Sequence, residues 1–225
     1  MLAEMYDMVR RRTSPRMRQL IKEQKWIMPL VAKALGSNVY SKSYYEEVVR
    51  DETISVKVIS DWIISEINPK RVVDIGCGPG HLIEDLDRKG VEILGLDYSA
   101  AAQKFLESKG LAFELFDLTS STTSIPGSPW DLAVCCEVAE HLEPHHADVF
   151  VSKLVSASNS VFLTAAVVGQ GGLNHVNEQP NSYWITKFAQ HGFALDENLT
   201  AKARNNFAGK SVVHYLAKPM LFRKI

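Results

Sequence analysis

The chain has 225 residues, which is enough for one large domain or two small ones. Its 25 basic and 26 acidic residues leave a formal net charge of −1, which argues against a nucleic-acid partner or an anionic membrane surface. Hydrophobic residues make up 46%, and no apolar run reaches the length of a membrane span, so we expect a globular protein without a transmembrane segment.

The N-terminal residues and the cysteines predict a reducing compartment. The segment MLAEMYDMVRRR places acidic residues before its arginines and lacks the apolar centre of a secretory signal. The three cysteines, Cys77, Cys135 and Cys136, are too few for a disulfide framework, and two of them are adjacent in an apolar run. We therefore expect a cytoplasmic protein.

Residues 1–50 differ in character from the rest of the chain. The segment up to Leu35 holds eight lysines and arginines against three acids, with apolar residues at roughly helical spacing. This pattern fits either a basic arm for an anionic partner or an amphipathic helix whose basic face is solvated. The apolar residues that interrupt the charges favour the helix. We expect residues 1–50 to form a helical N-terminal extension or lid, followed by one domain spanning 51–225.

Strands and helices are predicted to alternate after a helix at 41–67. Short β-branched and apolar runs indicate five strands, at 71–76, 91–97, 111–117, 130–137 and 160–168. Helical segments are predicted between them, at 81–89, 100–109 and 145–157. Such alternation predicts a parallel sheet with helices on both faces and right-handed crossovers. A final hairpin is expected from strands at 193–199 and 211–218, with a loop that contains Asn205, Asn206 and Phe207.

The strongest functional signal is a glycine-rich turn after the first strand, in the run VVDIGCGPG. Gly76, Gly78 and Gly80 alternate there, and a ligand can approach their backbone closely because no Cβ intervenes. Asp97 ends the next strand, where a carboxylate can accept hydrogen bonds from both hydroxyls of a ribose. The pattern therefore predicts a cofactor that contains a nucleoside.

Two details of this turn favour a cofactor without phosphate. The spacing is G-x-G-x-G rather than the dinucleotide G-x-G-x-x-G, and Pro79 removes a backbone N–H that could bind a pyrophosphate. Asp74, an acid within the same motif, suits a cationic ligand better than a phosphate. S-adenosylmethionine carries a ribose and an adenine, no phosphate, and both an ammonium and a sulfonium charge.

The run DIGCGPGHL resembles motif I of the class I S-adenosylmethionine-dependent methyltransferases, and about residues 55–220 keep that family's order of elements. The resemblance implies a Rossmann-like α/β fold, with a seven-stranded, mostly parallel sheet and helices on both faces. It implies that the glycines lie against the methionine portion, that Asp97 holds the ribose and that Asp117 accepts from the adenine amino group. The implied cofactor-binding residues are Asp74, Gly76, Cys77, Gly78, Gly80, Asp97, Tyr98, Asp117, Leu118 and Glu137.

A second signal is the Glu-x-x-Glu-His segment that follows the fourth strand. Because ligands of open α/β sheets bind at the carboxyl ends of the strands, this segment should face the transferring methyl group. His141 could act as a general base. Alternatively, Glu137, Glu140 and His141 could bind Mg²⁺, Mn²⁺ or Zn²⁺ together with a distant histidine, and the metal would lower the pKa of a substrate hydroxyl. In the third interpretation the segment only contacts cofactor and supports a helix.

The same segment resembles two kinds of methyltransferase. It is similar to the ubiquinone-biosynthesis O-methyltransferases and to the small-RNA terminal 2′-O-methyltransferases, in the latter of which it holds a metal. The loop after the fifth strand, GQGGLNHVNEQP, opens over the same crevice and brings His175 with several polar side chains. His175 is therefore the expected fourth metal ligand or a base that contacts the substrate. In the alternative interpretation, His175 has no role in catalysis and only forms hydrogen bonds with backbone groups of its own loop.

These features together predict an enzyme that transfers a methyl group from S-adenosylmethionine to a small-molecule acceptor, most simply to a hydroxyl oxygen. A histidine base or a metal-bound diol or catechol suits an oxygen acceptor, whose pKa must be lowered. Two alternatives remain. One is an RNA 2′-O-methyltransferase, which the near-neutral charge disfavours, and the other is a non-catalytic cofactor-binding protein on the same fold.

Overall fold

The computed structural model describes most of the chain after residue 41, namely residues 42–172, 174–210, 212–213 and 216–225. The helix predicted within residues 1–35 lies outside the described residues. Helix α1 spans Lys42–Glu66, and its side chains are described from Thr53 onward. The boundary expected between residues 50 and 51 therefore falls within a continuous helix, and the role of residues 1–50 as a lid stays a prediction.

Strands and helices alternate along the described chain. The strands are β1 (Arg71–Ile75), β2 (Glu92–Asp97), β3 (Phe113–Leu115), β4 (Leu132–Cys136), β5 (Ser160–Thr164), β6 (Phe193–Leu195) and β7 (Met220–Lys224). After α1 come α2 (His81–Asp87), α3 (Ala100–Lys109), α4 (Ala147–Ala157), α5 (Asn181–Gln190) and α6 (Glu197–Ala208). Two 3₁₀ turns lead from β4 into α4, at Ala139–His141 and Pro144–His146.

The strands form one sheet in the order β3-β2-β1-β4-β5-β7-β6. Strands β1 to β5 run parallel, whereas β7 runs antiparallel to both β5 and β6. The expected seven-stranded, mostly parallel, Rossmann-like sheet is therefore confirmed. The strand order reverses between β1 and β4, and this reversal opens a crevice at the carboxyl ends of those two strands.

The central strands are buried on both faces, which explains their continuous apolar sequence. Every residue of β5 is buried, as are four of the five residues in each of β1 and β4. Helices α1, α2, α3 and α6 cover one face of the sheet, and α4 and α5 cover the other. Within the described part of the chain, no helix has the length and apolar character needed to cross a membrane.

The sequence interpretation of the C-terminal region was wrong. Only the beginning of the segment 193–199 is a strand, and residues from Glu197 onward form α6. The described residues of 211–218 contain no strand, and the last strand is β7. The three residues that were expected in a loop all lie in α6: Asn205, Asn206 and Phe207.

The physical reason for this error is visible in the spacing of the buried residues. Leu199, Ala203 and Phe207 recur every four positions and face the sheet, as the apolar stripe of a helix does. Asparagine and threonine are poor helix formers, and their presence among these apolar residues led to the prediction of strands and a loop instead of a helix. Asp196 caps the helix, because its carboxylate accepts a hydrogen bond from the N–H of Leu199 at 2.9 Å.

Phe207 provides a test of this helix and its packing. Its ring is fully buried and meets the ring of Trp62 edge to face, with centroids 5.8 Å apart. We expect Phe207→Ala to lower the free energy of unfolding by about 3–5 kcal/mol, because it leaves a cavity in the core. The exposed Asn205 on the same helix is the matched control, and Asn205→Ala should change the value by less than about 0.5 kcal/mol in urea unfolding. Equal effects of the two changes would contradict the burial of Phe207.

Candidate active site

One cleft occupies the reversal point of the sheet. Its volume is about 540 Å³. The turn after β1 and the ends of β1, β2 and β4 line it, together with apolar side chains of α1 and Leu216. Its walls include most of the residues predicted to bind cofactor: Asp74, Gly76, Cys77, Gly78, Asp97, Tyr98, Asp117, Leu118 and Glu137. His141 and Asn174 line the same cleft.

The glycine turn after β1 has the backbone conformation that only glycine adopts readily. Gly76, Gly78 and Gly80 have φ values of 79°, 50° and 74°. A Cβ added to Gly76 would lie 2.3 Å from Cγ2 of Val138, so the turn packs directly against the segment that follows β4. The close approach of these two chain segments explains why this position excludes any side chain.

Asp97 holds the glycine turn in place from the end of β2. Its Oδ2 accepts a hydrogen bond from the N–H of Gly78 at 3.0 Å, and its Oδ1 accepts one from the N–H of Ser99 at 2.8 Å. Burial raises the pKa of this carboxyl, although hydrogen bonds from the backbone of Ser99, Gly78 and Tyr98 oppose that rise. The same carboxylate borders the cleft, where a ligand could approach it.

Asp74 is a buried acid within β1 at the floor of the cleft. The residue is 5% exposed. Burial, and then the nearby charge of Asp97, raise the pKa of Asp74 to about 7. Burial likewise raises the pKa of the neighbouring Cys77 thiol, which therefore stays protonated. A cationic ligand beside Asp74 would favour its ionised form.

The residues predicted to contact adenine lie at the ends of β2 and β3. Tyr98 is 60% exposed at the mouth of the cleft, whereas Leu118 is buried in its wall. Asp117 is exposed, and its Oδ1 accepts hydrogen bonds from the Oγ1 and the N–H of Thr119 at 2.7 and 2.8 Å. These hydrogen bonds lower the pKa of Asp117, so that this carboxylate is an acceptor at neutral pH.

Glu137 adopts an unusual backbone conformation directly after β4. Its φ is 54°, in the left-handed region that side chains rarely occupy. Its Oε2 accepts a hydrogen bond from Nε2 of Gln170 at 2.9 Å, which joins it to the loop after β5. The left-handed residue turns the chain sharply at the end of β4, and the following residues thereby enter the cleft wall.

The structure brings together three of the four predicted metal ligands. One ligand atom each of Glu140, His141 and His175 lies within 4.8 Å of the other two. The two imidazole rings meet edge to face with centroids 4.9 Å apart, and Nε2 of His175 lies 4.0 Å from Oε1 of Glu140. The fourth, Glu137, lies beside Glu140 but outside this set of atoms. A carboxylate and two imidazoles are a donor set that binds transition metals.

Glu140 is the most strongly buried acid of this cluster. Its side chain is fully buried, and neither of its carboxyl oxygens forms a hydrogen bond of ordinary geometry among the described residues, although the Glu137 carboxyl and the backbone N–H groups of Glu140 and Ala166 lie close enough to affect its pKa. Burial, followed by the closeness of Glu137, raises the pKa of Glu140 well above its ordinary range. Burial also raises the pKa of Glu137. Two such carboxylates cannot both be ionised here unless a cation lies nearby.

The loop after β5 is bound to the Glu-x-x-Glu-His segment by backbone contacts. The carbonyl oxygen of Glu140 accepts hydrogen bonds from the N–H groups of Val176 and Asn177 at 2.9 and 3.0 Å. Nδ1 of His141 donates to the carbonyl oxygen of Asn174 at 3.1 Å, because a carbonyl can only accept. These contacts hold His175 over Glu140.

Both histidines are neutral in this environment. Burial lowers the pKa of His141 to about 4, and the adjacent His175 adds to this effect. Burial also lowers the pKa of His175, although Glu178 opposes the change. A neutral imidazole can coordinate a metal ion, whereas a ring with a pKa near 4 is a weak general base at neutral pH.

Sequence reasoning missed several residues that organise this site. Gln170 holds Glu137, the carbonyl of Asn174 orients His141, and Glu178 contacts His175. A sequence signal for Glu178 was available: it follows His175 by three positions, a spacing that brings two side chains close together in a tight turn. No sequence signal pointed to the carbonyl of Asn174, because any residue there offers a backbone oxygen.

Asp74 gives a pH-dependent test of the cleft. Because its pKa is raised to about 7 in the folded protein, its stabilising protonated form is lost as the pH rises through that value. Asp74→Asn should therefore be more stable than the unchanged protein in ligand-free urea unfolding at about pH 8, by about 1–4 kcal/mol, with a smaller difference at about pH 4. The exposed Asp87 is the control, and Asp87→Asn should change the stability by less than about 0.5 kcal/mol. If Asp74→Asn is less stable than the unchanged protein at about pH 8, burial of the ionised Asp74 carboxylate does not destabilise the fold and the prediction is wrong.

Comparison with known proteins agrees with this geometry. The family model described as a methyltransferase domain matches residues 55–158. A ubiquinone biosynthesis O-methyltransferase of Ralstonia nicotianae is 33% identical over 114 residues, which cover 46% of this chain and 47% of that protein. The chain spans about half the length of the curated relatives it matches.

Solved structures of methyltransferases share the fold at low sequence identity. A TehB-like S-adenosylmethionine-dependent methyltransferase from Corynebacterium glutamicum is 15% identical, with a TM-score of 0.58 over 84% of this chain and 98% of that one. Magnesium protoporphyrin IX methyltransferase from Synechocystis, with bound S-adenosylhomocysteine, is 20% identical, with a TM-score of 0.52 over 67% and 78% of the two chains. Residues 55–158 therefore match a methyltransferase domain, and the chain shares its fold with S-adenosylmethionine-dependent methyltransferases.

Proposed function

We propose that the protein transfers a methyl group from S-adenosylmethionine to a hydroxyl oxygen of a small-molecule acceptor. The observation that carries this proposal is that one cleft joins the glycine turn and Asp97 to His141. A cofactor and an acceptor bound in this cleft would meet beside the Glu-x-x-Glu-His segment. The similarity to ubiquinone biosynthesis O-methyltransferases supports an oxygen acceptor.

The cleft residues suit the separate parts of the cofactor. Asp74 and the backbone of the glycine turn would contact the positively charged methionine portion, with Cys77 in the wall beside them. Asp97 would accept hydrogen bonds from the ribose hydroxyls, and Asp117 would accept one from the adenine amino group. The remaining predicted cofactor contacts are Tyr98, Leu118 and Glu137.

The reaction needs alignment more than acid–base chemistry. The acceptor oxygen forms a bond to the methyl carbon, and the carbon–sulfur bond breaks with its electron pair returning to sulfur, which becomes a neutral thioether. The acceptor hydroxyl gives up its proton to a base. The cleft contributes chiefly by holding oxygen, methyl and sulfur in line, since proximity and orientation can supply a large part of the rate enhancement.

We further propose that Glu140, His141 and His175 hold a divalent metal ion. The fit is supported by the burial of both Glu140 oxygens, neither of which forms a hydrogen bond of ordinary geometry among the described residues, and by two neutral imidazoles beside them. Two nitrogen donors favour Zn²⁺ or Mn²⁺ over Mg²⁺, which prefers oxygen ligands. Such an ion would lower the pKa of an acceptor hydroxyl and orient it. The proton of a hydroxyl acidified in this way could pass to water, whereas without the ion His141 or His175 would have to accept it.

The first test measures cofactor binding and turnover together. Calorimetry should show saturable binding of S-adenosylhomocysteine, and labelled methyl should pass from S-adenosylmethionine to a phenol, catechol or vicinal diol in an acceptor panel that also contains amines. Asp97→Ala should weaken S-adenosylhomocysteine binding by roughly 10–100-fold, because charge-assisted hydrogen bonds worth about 1.5–3 kcal/mol are lost. The exposed Asp87 again serves as control, and Asp87→Ala should bind normally.

Each arm of this test can contradict the proposal separately. If S-adenosylhomocysteine fails to bind, the cofactor assignment is wrong. If S-adenosylhomocysteine binds but neither the hydroxyl acceptors nor the amines are methylated, a non-catalytic binding protein is the better explanation. Transfer to amines alone would contradict the oxygen acceptor.

The second test measures metal binding without relying on activity. Zn²⁺ and Mn²⁺ are titrated separately into protein saturated with S-adenosylhomocysteine. Glu140→Gln should weaken binding by more than about 100-fold, since removal of a ligand costs more than removal of its supporting partner. The exposed Glu143, close by in the same segment, is the matched control, and Glu143→Gln should bind normally. Absence of binding by the unchanged protein would exclude the metal and leave a histidine as the base.

A further inference from the structure

The carboxylate of Glu178 collects three hydrogen-bond donors. Its Oε2 accepts from the N–H of Gly169 at 2.8 Å, and its Oε1 accepts from the N–H of Gly171 at 2.5 Å and lies 3.1 Å from Nδ1 of His175. The side chain is 19% exposed, so these contacts are only partly open to water. Burial favours protonation of Glu178, but the hydrogen bonds outweigh it, and its pKa lies below the ordinary value.

This contact determines which ring nitrogen of His175 carries the proton. Both oxygens of Glu178 already accept backbone N–H groups, as the oxygens of a carboxylate do, so Nδ1 of His175 is the donor in this contact. In the neutral ring the lone pair then lies on Nε2, and this atom is 4.0 Å from Oε1 of Glu140. Glu178 thus presents the acceptor nitrogen of His175 to the buried oxygens of Glu140.

The opposite tautomer would change the character of the cluster. With its proton on Nε2, His175 could turn to donate a hydrogen bond to Glu140, and the two side chains would satisfy each other. With the proton on Nδ1, Nε2 is an acceptor that faces the carboxyl group of Glu140, and either the proton of that carboxyl or a cation between the two groups would satisfy both. The arrangement therefore depends on the partner of Nδ1.

The glycines of the loop after β5 explain how the carboxylate of Glu178 reaches both its backbone donors and the imidazole of His175. Gly169 and Gly171 have φ values of 88° and 71°, which allow their N–H groups to converge on Glu178. Gly172 packs against the imidazole so closely that an added Cβ would lie 2.1 Å from Nε2 of His175. The carboxylate of Glu178 therefore holds both the loop backbone and the imidazole ring of His175 in place.

We propose that Glu178 is a positioning residue that keeps the proton of His175 on Nδ1 and its Nε2 lone pair directed at the Glu140 cluster. The consequence for metal binding rests on the proposed function, in which His175 is a metal ligand. The tautomer itself is a property of the protein without metal or cofactor, so it can be measured independently.

Long-range proton–nitrogen NMR of the metal-free protein at about pH 8, where a histidine of lowered pKa is neutral, tests the proposal directly. The signals of His175 are assigned by their loss in His175→Gln. We expect a protonated Nδ1 and an unprotonated Nε2 in the unchanged protein. Glu178→Ala should shift His175 to the other tautomer or to a mixture, and Glu178→Gln should retain Nδ1–H in part, because its amide oxygen can still accept. The control Glu143→Gln should not change the spectrum.

A Zn²⁺ titration of the same variants gives the second measurement. We expect Glu178→Ala to weaken Zn²⁺ binding by about 10–100-fold, with Glu178→Gln in between, as for carboxylates that support a ligating histidine elsewhere. If Glu178→Ala does not fold, the comparison rests on Glu178→Gln, whose circular dichroism should match the unchanged protein. A His175 tautomer that is unchanged in folded Glu178 variants would overturn the proposal.

The two proposals can fail separately. If the tautomer shifts while the unchanged protein binds no Zn²⁺, the metal assignment is wrong and Glu178 still positions His175. If Zn²⁺ binds equally to the unchanged protein and to both variants, Glu178 does not act on the metal cluster.

Discussion

The burial of acidic side chains at the reversal point of the sheet is the constraint on which the site depends. Asp74 and Asp97 form one acidic pair at the glycine turn, and Glu137 with Glu140 forms a second pair after β4. Among the described residues, none of these four carboxylates forms an ion pair with lysine or arginine. Burial of such groups is costly, and their pKa values are raised as a result. In the proposed function, the cationic cofactor would reduce this cost at the first position, and the proposed metal ion would reduce it at the second.

The loop after β5 determines whether the second acidic pair becomes a defined site. Backbone hydrogen bonds from Val176 and Asn177 to Glu140 bring this loop onto the segment after β4, and Gln170 adds a contact to Glu137. Both histidines then have their Nδ1 atoms bound, one to a carbonyl and the other to a carboxylate. The backbone and one acid therefore orient the rings, which is the kind of outer support that metal-ligating histidines require.

Stability and function oppose each other in this cleft. Replacement of Asp74 by a neutral residue is expected to stabilise the ligand-free fold, because an ionised buried acid is removed. The same carboxylate is the group best placed to attract a cationic cofactor. The left-handed backbone of Glu137 is a similar case, since its strain turns the chain toward the cleft. The extensive core on both faces of the sheet supplies the stability that such residues cost.

The sequence by itself determined the fold class, the glycine turn and the acids at the ends of β2 and β3. These features are local: a strand, its turn and the next helix are read from adjacent residues, and parallel strands bring their carboxyl ends to one edge. It also indicated Glu140, His141 and His175 as candidate ligands. Only the tertiary structure decided that these three meet, that Glu137 lies beside them and that Glu178 orients His175, because such contacts depend on how the loop after β5 folds back. The helix at 197–208 was likewise decided by packing, since burial of Phe207 against Trp62 outweighs the weak helix propensity of its asparagines.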